Sequence, residues 1–163
     1  YITGFIASHS ADPRFKWRNI GKTPETTAVE RVARELQAAG RKLELFLDFH
    51  GWCTPQRETQ FHTFGKELIG EDGERDFLRF VDLMRPRLTG KIMVRQFRKM
   101  TEYVTMWNTD VRRLSEGWMR FEGKAHLSAC IEIFGEGTAE QSDYLAWGHA
   151  FGEGLSEYFG GGK

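Results

Sequence analysis

LFLDFHGW, residues 45–52, ends a short aliphatic and aromatic run in a histidine, His50. The run from Leu43 to Phe49 is flanked by glycines, which is typical of a buried strand. In open α/β sheets, ligands bind beyond the carboxyl ends of the strands. We therefore expect His50 to lie on a rigid element and to face a crevice.

A second stretch, SACIEIFGEG at residues 128–137, carries Glu132 near the end of another strand-like run, Leu127 to Phe134. A carboxylate is rarely buried without a partner, because removing its charge from water is costly. Histidine is a common metal ligand and glutamate a common general base, so His50 and Glu132 together indicate metal-assisted hydrolysis. The alternative is that both are satisfied structural groups at strand ends.

The remaining pattern predicts an α/β fold with a mixed, twisted sheet and flanking helices. Thr23 as N-cap and Pro24 at the first helical position start a helix that Gly40 ends, directly before the first strand. The other predicted elements are a loop with a short helix over 51–70, a helix over 74–85, a strand over 91–97, an unassigned segment over 100–117, and a final helix with a Thr138–Gln141 capping box that buries Tyr144, Trp147, Phe151, Leu155 and Tyr158. We expect one domain over residues 1–159 and a flexible tail over 160–163.

Composition excludes several classes of protein. The 23 acidic and 23 basic residues balance, so nothing indicates a nucleic-acid partner. Two cysteines, Cys53 and Cys130, are too few for a disulfide scaffold. No apolar run approaches the roughly 20 residues that span a bilayer. We expect a soluble protein without a membrane partner, with the cytoplasm slightly favoured as its compartment.

Three motifs in order resemble the zinc carboxypeptidase (funnelin) family of metallopeptidases. They are TPETTAVERVARELQ from Thr23, DFHGW from Asp48, and IEIFGEG from Ile131, about eighty residues after the second. The resemblance covers Arg18 to the end of the final helix. It implies a carboxypeptidase-like fold, of which this chain is the C-terminal portion and which is incomplete at its N-terminus.

The resemblance also implies site residues and a cofactor. His50 would be the third ligand of a zinc ion, and Glu132 the general base that takes a proton from the metal-bound water. Arg18 would bind the terminal carboxylate of a peptide or amide substrate, with Asn19 as a helper, although the family's Asn-Arg order is reversed here. Arg14 is an alternative to Arg18. Tyr103 matches a family tyrosine on a loop that closes over the substrate, and a core aromatic is the other interpretation.

The first two zinc ligands of that family come from a His-x-x-Glu motif, which this chain does not contain. All five histidines lack a glutamate three positions later. The only His-x-x-acid is His9 to Asp12, and Glu58 with His62 could meet on one helical face. Because catalytic zinc normally has three protein ligands, we expect an upstream segment to supply the others, and the start of the chain without a methionine favours this.

Two further hypotheses compete with hydrolysis. The missing motif favours a catalytically inactive, peptidase-like binding module that holds peptide or glycan ends without cleaving them. A thiol enzyme using Cys53 beside His50 is the third hypothesis. Substrate specificity does not follow from the sequence, since one fold can serve many substrates.

Overall fold

A computed structural model describes residues 24–51, 59–99, 115–135 and 137–161, without the side chains of 24–26, 50–51 and 95–99. The helices of the described residues are α1 (Pro24–Ala38), α2 (Lys66–Met84), a 3₁₀ turn (Gly90–Ile92), α3 (Ser115–Phe121) and α4 (Gln141–Gly160). The strands are β1 (Leu45–Gly51), β2 (Thr59–Thr63), β3 (Val94–Lys99) and β4 (Leu127–Ile133). None of these helices is long and apolar enough to cross a membrane.

The four strands form one sheet in the order β1-β4-β2-β3. The amide of Leu127, the first residue of β4, donates to the carbonyl of Glu44, the residue before β1, at 3.0 Å. The two strands therefore begin side by side and run parallel. The side chain of Thr59, at the start of β2, bonds to the backbone of Phe134, just past the end of β4. β2 and β4 therefore run antiparallel, and the predicted α/β fold with a mixed sheet is confirmed at this level.

The chain divides into two compact units, and β4 contributes to both. The first comprises Tyr1–His50 and Lys99–Cys130. Its buried cluster joins α1 to α3 and to the turn before β4, and the α1 residues of the cluster lie on one apolar face of that helix. The cluster consists of Ala33, Trp118, Met119 and Ala125, with Val29, Leu43 and Phe46 packed against it.

The second unit comprises Gly51–Arg98 and Ile131–Lys163, and aromatic rings dominate its core. Phe80 of α2 lies 5.8 Å from Phe61 of β2 and 6.0 Å from Phe151 of α4, between ring centroids. α2 and α4 pack closely where Gly154 faces Met84, since a Cβ at position 154 would lie 2.5 Å from the Met84 sulfur. These contacts hold two helices against one strand of the sheet.

Several element predictions are confirmed and others are wrong. α1 begins at Pro24 as predicted, and the strands at His50 and Glu132 are present. Over 51–70, where a loop with a short helix was predicted, the helical residues that precede Gly70 agree with the short helix, but the segment also contains β2, which was not predicted. β2 was not predicted because its five residues, although all buried, are mostly polar (TQFHT) and show no apolar alternation.

Two helix predictions need correction, and one helix was not predicted. α2 begins at Lys66 and is interrupted by a non-helical Gly70 (φ 75°), so the helix predicted over 74–85 is the larger part of the stretch that follows Gly70. α3 occupies part of the segment left unassigned. The capping box of α4 uses Glu140 and Asp143 instead of Thr138 and Gln141.

The apolar face predicted for α4 is also only partly buried. Trp147 and Phe151 are buried as expected. Tyr144 is 46% exposed, so its predicted burial is wrong. Leu155 and Tyr158 are half-buried.

Candidate functional site

Glu132 lies on β4. The boundary between the two compact units falls within this strand, and Glu132 belongs to the second unit. Its neighbours Cys130 and Ile131 are almost fully buried, and the Glu132 side chain is 0% exposed. An acid in such a place was predicted to require a partner. The structure therefore puts a carboxylate at the carboxyl end of a core strand, away from solvent.

The partner that the structure brings to Glu132 is His62 of β2. The His62 Nε2 atom lies 3.9 Å from Glu132 Oε2, and both side chains are 0% exposed. This is an ion-pair distance that exceeds an ordinary hydrogen bond. At this distance a buried imidazole and a buried carboxylate can each stabilise the charged form of the other and restrict its orientation.

Sequence reasoning placed His62 in the wrong context. It was paired with Glu58 on a helical face, but His62 belongs to a strand, so that helical pairing is wrong. The signal that could have found β2 is its content of residues that favour strands, Thr59, Phe61 and Thr63. Its partnership with Glu132 has no local signal, because it depends on two strands far apart in the sequence.

Thr59 fixes the register at this end of the sheet. Its hydroxyl donates to the Phe134 carbonyl and accepts from the Phe134 amide, each at 3.0 Å. The next residue, Gln60, is also 0% exposed. The start of β2 therefore lies beside the end of β4, the end that carries Glu132.

A second buried polar cluster lies in the first unit, near the end of β1. The Ser115 hydroxyl bonds to Asp48 and lies 2.9 Å from Glu116 Oε2. Ser128 of β4 donates to the Glu116 carbonyl at 2.7 Å. Asp48 is 8% exposed and Glu116 0%. These bonds connect α3 to β1 and β4, and sequence reasoning missed them because α3 was not predicted.

The other predicted site residues lie outside what the structure describes. His50 falls within β1, but its side chain is not among those described. Arg18, Asn19 and Tyr103 lie in undescribed ranges, as do Arg14, His9, Asp12, Cys53 and Glu58. The convergence of His50 and Glu132 on one cavity therefore stays a prediction.

The described side chains alone do not make a complete zinc site. Within them, no group of three or more His, Cys, Asp and Glu residues could hold a metal ion. The Cys130 side chain is buried within β4. Because a catalytic zinc normally has three protein ligands, a zinc site in this chain would require ligands from outside the described ranges.

Comparison with known proteins found no matching family model, no matching curated protein and no matching solved structure. The resemblance to zinc carboxypeptidases therefore depends on the three sequence motifs.

Proposed function

We propose that this chain is part of a zinc-dependent hydrolase of the carboxypeptidase type, acting on a peptide or amide bond. Glu132 is the general base and His50 a metal ligand, with the other ligands supplied from outside the described residues. The motifs around His50 and Glu132, together with the helix that begins at Pro24, support this assignment.

The observation that carries the proposal is the burial of Glu132 at the carboxyl end of β4. A general base has to be held in a fixed position relative to the proton that it abstracts. Glu132 is held in this way, because its side chain is 0% exposed and lies 3.9 Å from His62.

The roles divide between the metal and the protein. A bound zinc ion supplies Lewis-acid polarisation of water and of the substrate carbonyl. Glu132 accepts the proton of the attacking water and delivers it to the leaving amine. Arg18 binds the substrate's terminal carboxylate, with Asn19 as its helper, and Tyr103 covers the substrate.

The test is the Glu132→Gln variant of the complete protein, with zinc content measured in parallel. Glutamine keeps the size of the side chain but cannot accept the proton, so we expect loss of hydrolysis with zinc retained. The matched control is Glu153→Gln on the exposed surface of α4, which should retain full activity. Normal hydrolysis by Glu132→Gln would contradict the role assigned to this residue.

The second candidate is a peptidase-like binding module without catalysis. The specific observation in its favour is that the sequence contains no His-x-x-Glu motif. Metal analysis and peptide binding by the complete protein separate the two candidates. Binding without stoichiometric zinc and without cleavage favours the module, whereas zinc that is lost in a His50→Ala variant favours the hydrolase.

A further inference from the structure

Gln60, the second residue of β2, is a fully buried glutamine whose side chain has no hydrogen-bond partner among the described residues. Its side chain is 0% exposed, and across the part of the chain that the structure describes, neither its amide nitrogen nor its amide oxygen forms a hydrogen bond. Buried polar groups in native proteins are nearly always paired, because an unpaired one retains the full cost of desolvation. Gln60 therefore needs a partner that the described residues do not provide.

Gln37 of α1 is a glutamine with a structural role and serves as a comparison for Gln60. Gln37 is partly buried, and its Nε2 donates to the Glu122 carbonyl at 2.9 Å, which connects α1 to the turn after α3. That side chain stabilises the fold through a direct bond. Gln60 is more deeply buried than Gln37 and, within the described part of the chain, forms no such bond.

The placement of Gln60 relates it to the candidate site. Residues two apart on a strand share a face, so Gln60 and His62 lie on the same face of β2. The contact between His62 and Glu132 puts Glu132 on that face as well. The Thr59–Phe134 bonds place the start of β2 at the carboxyl end of β4. Gln60 and Glu132 thus share one face at one end of the sheet.

We propose that Gln60 is a substrate-positioning residue that binds a peptide group next to the bond to be cleaved. This inference rests on the proposed hydrolase function. A glutamine amide both donates and accepts, so it is complementary to the carbonyl and N–H of a peptide and matches the backbone of any peptide sequence. Because Gln60, His62 and Glu132 are all fully buried, a substrate reaches them only when the residues that cover them move.

The experiment compares Gln60→Met and Gln37→Met in the complete protein, with Gln60→Leu as a second variant. The probes are N-acylated dipeptides with a free terminal carboxylate, and thermal unfolding, KM and kcat are measured for each protein. Methionine keeps the volume of glutamine but removes the unpaired amide. We expect Gln60→Met to raise the unfolding midpoint by about 2–6 °C. Its KM should rise about tenfold with kcat little changed, as when a substrate-binding contact is lost.

Gln37→Met should behave in the opposite way, with a lower unfolding midpoint and an unchanged KM. If Gln60→Met and Gln60→Leu both lower the midpoint as Gln37→Met does, Gln60 has a structural partner and the inference is overturned. An unchanged KM in the Gln60 variants also overturns it. The unchanged KM leaves the proposed function intact, provided that the wild type hydrolyses the dipeptides and Glu132→Gln does not. A wild type that neither binds nor cleaves any dipeptide overturns both.

Discussion

The buried pair of His62 and Glu132 gives a prediction that does not depend on any enzymatic activity. We expect the two side chains to be strongly coupled in the free energy of unfolding. When His62 is protonated, its charge and that of the Glu132 carboxylate, 3.9 Å apart, attract by about 4 kcal/mol at an effective dielectric constant of about 20. Desolvation of both groups offsets part of this attraction, which leaves a coupling energy of about 2–3 kcal/mol.

The perturbation is a double-mutant cycle with His62→Leu and Glu132→Met. Each single change leaves the other group buried beside an apolar side chain, and removing one member of a buried pair typically costs about 3–5 kcal/mol. The double variant replaces both groups with apolar ones and should be no less stable than either single variant. Urea unfolding, with linear extrapolation to water, measures the four free energies.

A matched control is the cycle on Lys91 and Asp143. Their charged atoms lie 3.1 Å apart, closer than those of the buried pair, but the side chains are 42% and 28% exposed. Solvent and salt screen such a pair, so its coupling should be smaller and should fall as salt is added. A coupling below about 0.5 kcal/mol for His62 and Glu132, in the range of additive sites, would refute the reasoning that this contact matters energetically.

Two further predictions concern the core of the second unit. Gly152→Ala should stabilise α4 by about 1 kcal/mol, because a Cβ at this position has nothing within 4 Å. Gly154→Ala should not stabilise it, because its Cβ would lie 2.5 Å from the Met84 sulfur. Equal unfolding free energies for the two variants would contradict this packing. Phe80→Ala should cost about 3–5 kcal/mol, as expected for a buried aromatic, since Phe80 is 0% exposed. Leu78→Ala on the same helix should cost far less, because Leu78 is 38% exposed, and urea unfolding of both variants checks the difference.

The sequence predicted elements whose signals are local. The helix start at Pro24 follows from proline chemistry, and the strands at His50 and Glu132 follow from short apolar runs. The burial of Glu132 was predictable from its neighbours, as was its need for a partner. β2 was not predictable in this way, because a strand buried on both faces with polar residues shows neither alternation nor an apolar run.

By itself the amino-acid sequence determined the α/β class and the places of the strands that carry His50 and Glu132. Only the tertiary structure decided that the partner of Glu132 is His62 and that Gln60 lies at the same end of the sheet. The physical reason is that propensity and hydrophobic period act over a few neighbouring residues. Strand order and register, in contrast, bring together residues about seventy positions apart in the chain, and no local pattern encodes that pairing.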